Sequence, residues 1–336
     1  MKTSTTFIAL LVNFLSVLAV TRIDYHGHTV AEFVAHEAKP QVQEQNKNIP
    51  KRDPKQLRYV TYNVDVFAVD PADKKNKLHL RQGWKKFHQQ VMPALDADVL
   101  SFNEWPIFHK SSTPVGMVDV VEKAGYKLAS FCGDSRWPSG NVVFVREGIP
   151  FEALDPIMMK QSDKSHRCIA RVIVDFEGKK ILTLTTHLDN RSTEFRQSQV
   201  KNVLALNHND QDYVILSGDL NSRENDAEIK LIKGAGFEMA EVANDRPTYS
   251  HWNDDWIDYV FFKSKKEMAT VFMDTFHTEV SDHLPVIADF SFDSKVVQSV
   301  QNKNKKNNNS SSAAAIQSVD ILMISAFIAS INYLLL

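Results

Sequence analysis

Cysteine, glycine and excess charge are all scarce in this chain. Of its 336 residues only 2 are cysteine and 11 are glycine, and its net charge at pH 7 is −2. Two cysteines are too few for a disulfide-rich scaffold or a four-cysteine zinc centre. So few glycines exclude a collagen-like chain. The near-neutral charge provides no overall basic field for nucleic acid, although a metal-binding enzyme supplies positive charge locally.

Globular composition occupies most of the chain. Hydrophobic residues make up 43% and charged residues 24%, as in an ordinary folded domain. No internal repeat of fixed period is present. We predict one domain over residues 55–295, preceded by a polar extension or linker (20–54) and followed by a polar stalk (296–312).

Residues 1–19 predict a secretory signal peptide. Lys2 supplies the positive start, Phe7–Val20 is mostly apolar, and Val17-Leu18-Ala19 resembles a cleavage site. An uncleaved signal anchor is the alternative. The predicted location is therefore the secretory pathway, ending outside the cell or at its surface.

A second targeting signal occupies residues 313–336. The small residues of Ser310–Ala315 are followed by a short spacer and the apolar tail Ile321–Leu336, a pattern typical of glycosylphosphatidylinositol (GPI) attachment. A retained membrane helix is the alternative, which polar residues such as Asp320 and Asn332 disfavour. We therefore expect a membrane partner through a C-terminal lipid anchor, and no protein partner is implied.

Short runs of β-branched and aromatic residues predict buried strands. These are Arg58–Tyr62, Val99–Phe102, Asn141–Val145, Ile169–Phe176, Ile181–Thr186, Tyr213–Ser217, Trp256–Phe262 and Val286–Phe290. Helical spacing predicts four helices, at Trp84–Leu95, Val115–Ala124, Thr193–Asn207 and Asp226–Ala235. Strands mixed with helices predict an α/β fold with a mixed or antiparallel sheet.

Carboxylates, amides and histidines recur at or just beyond the ends of predicted strands. The groups are Asn63-Val64-Asp65, Asn103-Glu104, His187-Leu188-Asp189, Asp219-Leu220-Asn221, Asp258 and Ser281-Asp282-His283. Any one of them alone is more simply a turn or capping residue. Six such groups are difficult to explain as turn chemistry, and strands would deliver them to one rim of the fold.

These residue types suit phosphodiester hydrolysis. Oxygen ligands with few histidines favour Mg²⁺ (or Mn²⁺) over structural zinc. The reaction needs a Lewis acid, an activated water and donors for the developing negative charge. Glu104 can hold the metal, Asp219 can orient or deprotonate water, and Asn221 can donate to a phosphoryl oxygen. An Asp258–His283 pair can present a charged imidazole to the phosphate.

In order and approximate spacing, these motifs resemble the endonuclease/exonuclease/phosphatase (deoxyribonuclease I-like) superfamily over Leu57–Phe292. The resemblance implies an α/β four-layer sandwich, in which two packed mixed β-sheets are flanked by helices. It implies a metal-dependent phosphodiesterase whose expected substrate is nucleic acid, with a sphingomyelinase-type phospholipase or another phosphoesterase as the alternative. A non-catalytic surface binding protein on the same fold is the alternative from another class.

The resemblance also implies residue roles. The implied metal-site residues are Asn63, Glu104 and Asp282, with Asp65 supporting a second metal position. The implied catalytic residues are His187, Asp219, Asn221, Asp258 and His283. Asn103-Glu104 departs from the family's more usual glutamine–glutamate pair. The inositol-phosphatase signature around Asp258 is absent, which argues against inositol polyphosphates as substrates.

Cys132 and Cys168 allow either a disulfide or two buried thiols. Cys132 lies near the end of a strand that precedes the turn at 139–141, and Cys168 begins the strand that pairs with the one ending before His187. If these strands are antiparallel neighbours, both cysteines lie at the rim that carries the site. We therefore expect them to be close enough to bridge.

Overall fold

The computed structural model describes residues 46–303 except 68–82, 107–116, 134–138, 161–166, 207–209, 240–241, 243–247 and 249–254, together with two short strands nearer the N-terminus. The predicted signal peptide (1–19), the anchor signal (313–336), and most of the predicted extension and stalk lie outside the described residues. Within the described part, no helix is long and apolar enough to cross a membrane.

Strands dominate the described residues. In chain order they are β1 (Thr21–Ile23), β2 (Thr29–Ala31), β3 (Leu57–Asn63), β4 (Val99–Pro106), β5 (Tyr126–Cys132), β6 (Ser139–Arg146), β7 (Phe151–Met158), β8 (Cys168–Phe176), β9 (Lys179–Thr186), β10 (Tyr213–Asp219), β11 (Glu238–Met239), β12 (Asp258–Ser264), β13 (Ala269–Thr275) and β14 (Val286–Ser291).

The helices are short and lie between the strands. A 3₁₀ turn, Asp65–Phe67, follows β3, and the helical segment 83–95 contains a π-helical turn, Phe87–Val91, before α1. The α-helices are α1 (Met92–Leu95), α2 (Met117–Lys123), α3 (Thr193–Ala205) and α4 (Ala227–Gly234). A further helix, 294–303, follows β14. Ser192 caps α3, because its hydroxyl accepts a hydrogen bond from the Phe195 amide.

Two six-stranded sheets form the body of the protein. The first has the order β13-β14-β3-β4-β6-β5 and the second β11-β12-β10-β9-β8-β7. In each sheet the central pair, β3 with β4 and β9 with β10, runs parallel, while the other pairs are antiparallel. The strands β1 and β2 pair with each other.

Apolar side chains pack in three layers. One cluster fills the space between the sheets and includes Tyr59, Val143, Val172 and Ile215. A second lies between the first sheet and the helical segment 83–95 with α2, and a third between the second sheet and α3 with α4. The predicted four-layer α/β sandwich is therefore confirmed.

The folded region extends past both predicted domain boundaries. On the N-terminal side, Arg52 donates to buried Asp98 at 2.9 Å and Asn46 donates to the His277 carbonyl at 3.0 Å. On the C-terminal side, helix 294–303 buries Val297 to 2% exposure. Residues 46–54 and 296–303 therefore pack on the domain, although their polar composition is typical of a linker and a stalk.

Strand direction determines where polar residues meet. Because both central pairs are parallel, β3, β4, β9 and β10 bring their C-terminal ends to one rim of the sandwich. Beneath this rim the Tyr59 hydroxyl lies 2.8 Å from the Ser217 hydroxyl, and Ser101 lies 2.9 Å from Thr185. At the opposite end, Arg58 pairs with Asp289 through two hydrogen bonds of 2.8 Å. These buried polar contacts hold the two sheets and the β3–β14 pair in register.

A disulfide joins Cys132 to Cys168, with a Cα–Cα distance of 6.2 Å. The expectation from the sequence rested on the two strands being neighbours. They are not, because β5 belongs to the first sheet and β8 to the second. The two cysteines face each other across the interior, where both are almost fully buried. The bridge therefore links the two sheets instead of two adjacent strands.

Candidate active site

The predicted site residues converge on the rim where the central strands end. Asn63 and Asp219 are the last residues of β3 and β10, and His187 follows β9 directly. Antiparallel strands supply the others. Asp258 begins β12 opposite Asp219, and His283 lies just before β14. Both sheets therefore contribute to one cluster.

Asp258 and His283 form a buried pair. Asp258 Oδ2 lies 2.8 Å from His283 Nδ1, and the two residues are 0% and 5% exposed. The other ring nitrogen, Nε2, lies 3.8 Å from Asp219 Oδ2 and 3.9 Å from Asp282 Oδ1. The imidazole is thus held at one nitrogen by a carboxylate and faces two further carboxylates with the other.

Asn63 connects Glu104, a predicted metal residue, to Asp219, a predicted catalytic residue. Its Nδ2 donates to Asp219 Oδ2 at 3.0 Å and lies 3.4 Å from Glu104 Oε1. Its Oδ1 accepts from the Asp65 amide at 3.0 Å, and its carbonyl accepts from the Ser281 hydroxyl at 2.8 Å. One amide side chain therefore touches both predicted groups.

Unusual backbone conformations occur where the site residues are placed. The pairing of β4 with β6 shifts register between Phe102 and Trp105, and Glu104 inside this bulge has φ 53°. Asp65 and Asn221 also adopt left-handed conformations, with φ 39° and 47°. Left-handed conformations are uncommon in residues other than glycine, although Asp and Asn adopt them more readily than Glu, and they concentrate at functional sites. The bulge redirects the Glu104 side chain, which the regular alternation of a strand would not place here.

The backbone at Asp219 is tightly confined. Gly218 has φ 130°, and a Cβ there would lie 1.8 Å from the Thr186 carbonyl oxygen, so only glycine fits. Asp219 Oδ1 accepts from the Asn221 amide at 2.8 Å, and Oδ2 lies 3.3 Å from His187 Nε2. The Asn221 side chain donates to the Leu188 carbonyl at 3.1 Å, which uses one of its two N–H groups.

Burial and neighbouring charges shift the pKa values of the site. Burial together with the Asp258 charge raises the pKa of Asp219 to about 7. Burial alone disfavours the His283 imidazolium, but the charges of Asp258, Asp219 and Asp282 outweigh it and raise the pKa to about 10. Burial, with Arg167 and His283 nearby, holds the pKa of His187 well below its usual range. At neutral pH the site therefore contains a charged His283 and a neutral His187.

The sequence of residues 60–283 matches the model of the endonuclease/exonuclease/phosphatase family. The chain belongs to this family. Its members are metal-dependent hydrolases of phosphoester bonds, and the chain is an enzyme of that class. A search of curated proteins finds no significant match.

Solved structures of this family share the fold at low sequence identity. A Bacteroides vulgatus family member superposes with a TM-score of 0.56 at 16% identity, covering 71% of this chain and 99% of that one. The human nocturnin catalytic domain gives 0.53 at 18% identity, covering 71% and 94%. Humanized D. rerio TDP2 gives 0.54 at 19% identity, covering 70% and 99%. At these sequence identities, the superpositions establish a shared fold.

The residues at the rim fit the divalent cation that this family requires. The donors are three carboxylates and an amide, which are suitable ligands for hard divalent cations: Asn63, Asp65, Glu104 and Asp282. Beside these donors, burial and the Asp258 charge raise the pKa of Asp219, so further negative charge is unfavourable there without a nearby positive charge. A cation held there would neutralise this charge and act as a Lewis acid.

A second carboxylate cluster is less suited to the cation. One ligand atom from each of Asp219, Asp258 and His283 lies within 4.8 Å of the others. However, the His283 ring bonds to Asp258 through Nδ1, and its pKa of about 10 keeps it protonated at neutral pH. An imidazolium has no lone pair for a metal. The hydrogen bond between Asp258 and His283 therefore makes this cluster less suitable for a cation than the donors around Asn63.

The raised pKa of His283 predicts a pH-dependent stability in chelator. Folded His283 retains its proton up to about pH 10, whereas unfolded histidine loses it near pH 6.5. This stabilisation is complete below pH 6.5 and is lost as pH rises toward 10. Protonation of Asp219 also stabilises the fold, and this contribution is lost at lower pH, as pH rises from about 4 to about 7. From pH 7 to 10, the free energy of unfolding should fall by several kcal/mol, at about 1.4 kcal/mol per pKa unit.

Urea denaturation at a series of pH values measures this effect. In His283→Gln, the free energy of unfolding should fall less steeply between pH 7 and 10. His277→Gln is the control and should keep the wild-type slope, since His277 bonds to Asn46 through its backbone and not through its side chain. Equal slopes in wild type and His283→Gln would contradict the assignment.

Arg167 is a site residue that the sequence analysis missed. It lies just before β8, is 7% exposed, and is close enough to lower the pKa of His187. Its guanidinium also lies 3.4 Å from Asn190 Oδ1. No motif surrounds it in the sequence, and only the position of β8 beside β9 brings it to His187. A buried guanidinium at this rim is suited to binding a phosphate oxygen.

Arg167→Gln is expected to raise KM for a phosphodiester about tenfold or more, with a smaller change in kcat. Removing a hydrogen bond to a charged group costs about 1.5–3 kcal/mol, and each 1.4 kcal/mol corresponds to a factor of ten. Steady-state kinetics with bis-p-nitrophenyl phosphate measures this. Arg171→Gln is the matched control, because Arg171 lies four residues further along the chain, in β8, and bonds to the Asp155 carbonyl. Equal KM values in the two variants would contradict a substrate contact.

Proposed function

We propose that this enzyme is a Mg²⁺-dependent phosphodiesterase (Mn²⁺ substituting) that cleaves nucleic acid outside the cell or at its surface. The observation that carries the proposal is the buried Asp258–His283 pair, 2.8 Å apart, facing Asp219 at a rim lined with further carboxylates. This arrangement combines a cation site, a base and a charged donor within one small volume. Phosphodiester hydrolysis requires these three functions.

Each group has a defined role in the proposed reaction. Asp219, with a pKa of about 7, is suited to orient and deprotonate the attacking water near neutral pH. His283, held as an imidazolium by Asp258, stabilises negative charge on the phosphoryl oxygens. His187 and the remaining N–H of Asn221 donate hydrogen bonds to the same oxygens. The cation would be held by Asn63, Glu104 and Asp282, with Asp65 supporting a second position.

Two comparisons support a phosphate-directed site of this shape. The nocturnin catalytic domain was solved with a bound sulfate anion, which has the tetrahedral geometry and charge of a phosphate group. Another solved structure with this fold is a Bacteroides thetaiotaomicron mannosyl-6-phosphatase, with a TM-score of 0.53 at 13% identity, covering 70% of this chain and 100% of that one. Arg167 adds a fixed positive charge beside His187, which favours a polyanionic substrate.

The proposed location follows from the termini and is supported by the disulfide. Residues 1–19 act as a signal peptide, and residues 313–336 direct attachment of a GPI anchor after the polar residues 304–312. The Cys132–Cys168 bridge supports this location, because disulfides persist in oxidising compartments. The lipid anchor would also place phospholipid within reach, so the sphingomyelinase-type alternative belongs in the same test.

The test uses the full chain expressed in a eukaryotic host with its own termini. Protein released from cells by a phosphatidylinositol-specific phospholipase is assayed on plasmid DNA, RNA and sphingomyelin vesicles, with Mg²⁺ and with chelator. Nicking of DNA or RNA that is lost in Asp258→Asn is expected. Turnover of sphingomyelin alone would replace nucleic acid with lipid as the substrate. Folded protein that binds but converts none of them would indicate the non-catalytic alternative, and protein that the phospholipase does not release would contradict the anchor.

A further inference from the structure

Asn103 has a completely buried side-chain amide that reaches from the first sheet to the second. It belongs to β4 in the first sheet, and its Oδ1 accepts a hydrogen bond from the Asp219 backbone amide at 2.8 Å. Its Nδ2 donates to Asn141 Oδ1 at 2.8 Å and to the Thr186 carbonyl at 3.2 Å. The side chain therefore connects the first sheet to β9 and β10, immediately below the carboxylate proposed as the base.

The orientation of both amides is determined by backbone groups. The Asp219 N–H can only donate, so the Asn103 atom facing it must be the oxygen. Asn103 Nδ2 then faces Asn141, which must present its own oxygen. The Asn141 Nδ2 in turn faces the Cys168 carbonyl at 3.0 Å. Each step is consistent with the next, so the chain of donors has one direction.

This chain of contacts ends at the disulfide. Asn141 is paired with Cys132 in the β5–β6 ladder, and its Nδ2 also lies 3.7 Å from Cys132 Sγ and 3.6 Å from Cys168 Sγ. The covalent bond holds β5 and β8 together at this level. The series Cys168–Asn141–Asn103–Asp219 therefore runs from the inter-sheet disulfide to the active-site rim.

Little space surrounds the amide of Asn103. A Cβ added to Gly218 would lie 3.0 Å from Asn103 Oδ1, so the side chain packs directly against the backbone that precedes Asp219. Glutamine at this position would be one methylene longer than asparagine. It would need that space, which the asparagine leaves to the Gly218 backbone.

We propose that Asn103 is a positioning residue that sets the location of Asp219, and that Asn141 and the Cys132–Cys168 disulfide anchor it. The inference rests on the proposed phosphodiesterase activity for its kinetic consequence. Asn103 does not touch the reacting atoms, and acts by fixing the Asp219 main chain. Displacement of a catalytic group by about 1 Å can cost on the order of 100-fold in rate.

Asn103→Ala tests the proposal, with Ser101→Ala as the matched control. Ser101 lies two residues earlier on β4 and also bridges the sheets, through Thr185 at 2.9 Å and Ser217 at 3.2 Å, but does not reach Asp219. Asn103→Ala should lower kcat for bis-p-nitrophenyl phosphate about 10- to 100-fold with KM within about twofold. Ser101→Ala should lower stability but keep kcat within about twofold.

Two further variants locate the anchor. Asn141→Ala should lower kcat less than Asn103→Ala, and the double variant should lose less than the product of the two single losses, because both changes interrupt one path. Replacing both cysteines by alanine should lower kcat in the wild-type background but not in Asn103→Ala. If the losses in kcat multiply in these combined variants, the anchoring role of Asn141 and the disulfide is overturned.

Amide hydrogen exchange provides a readout that needs no activity. The Asp219 amide should exchange at least about tenfold faster in Asn103→Ala than in Ser101→Ala, after correction for global stability. Unchanged Asp219 exchange, or equal kcat losses in the two variants, would overturn the positioning role. If the wild-type enzyme hydrolyses no phosphodiester, the proposed function fails, while the exchange measurement still decides whether Asn103 holds Asp219.

Discussion

Replacing Glu104 with glutamine is expected to lower kcat for a phosphodiester on the order of 10³-fold. Glu104 lies in a bulge of β4 with φ 53°, half-buried, with its carboxylate 3.4 Å from Asn63. Glutamine keeps the size and the backbone requirement but removes the charge. The loss should therefore come from weaker cation binding and not from unfolding.

Two measurements separate these causes. Rates with bis-p-nitrophenyl phosphate across a Mg²⁺ titration should show activity partly restored at high metal concentration, and thermal unfolding in chelator should be nearly unchanged. Glu152→Gln, an exposed carboxylate on β7, is the control and should behave as wild type. A Glu104→Gln enzyme that retained full activity at low Mg²⁺ would remove Glu104 from the metal site.

Asp219→Asn is expected to inactivate the enzyme and at the same time stabilise it. Loss of the base should lower kcat about 10²- to 10⁴-fold. Burial and the Asp258 charge raise the pKa of Asp219 to about 7, so keeping it ionised at pH 8 costs folding free energy. Asparagine avoids this cost but loses part of the hydrogen bonding with Asn63. The net gain at pH 8 in chelator should be about 1–2 kcal/mol.

Asp289→Asn provides the opposite signature. Asp289 is 3% exposed and accepts two hydrogen bonds from Arg58 at the end of the sandwich away from the rim. Its substitution should destabilise the fold, since one partner of a buried ion pair is lost, while kcat stays near the wild-type value. Steady-state kinetics and urea denaturation compare the two variants. An Asp219→Asn protein that is both active and less stable than wild type would contradict the assignment of Asp219 as a base whose ionised form destabilises the fold.

Local sequence was sufficient to locate most strands and helices. The eight predicted strands and four predicted helices correspond to observed elements, because each buries a continuous apolar run or an apolar helical face. The strand β7 was not predicted. Its residues Phe151–Met158 are mostly exposed, so it lacks the buried apolar run that indicates a strand. The strand β13, Ala269–Thr275, was also not predicted, and its register with β14 is irregular.

The sequence indicated which residue types form the candidate site, but not how those residues contact one another. Polar residues after predicted strands indicated a rim, since strands end where the core ends. The sequence did not indicate that Arg167 approaches His187 or that Asn63 links Glu104 to Asp219, because these contacts join separate strands. It also did not indicate that Glu104 sits in a bulge, where the alternation of the strand is interrupted.

The division between local and long-range information has a physical cause. Periodic burial, turn residues and carboxylate chemistry are properties of short segments, so the α/β class and the metal-dependent chemistry follow from the amino-acid order. Which sheet a strand joins depends on pairing with distant segments and on their packing across the interior. That packing places Cys132 opposite Cys168 and orients Asn103 toward Asp219. It also raises the pKa of Asp219, through burial and the Asp258 charge, and that of His283, through the charges of Asp258, Asp219 and Asp282 against the opposing effect of burial.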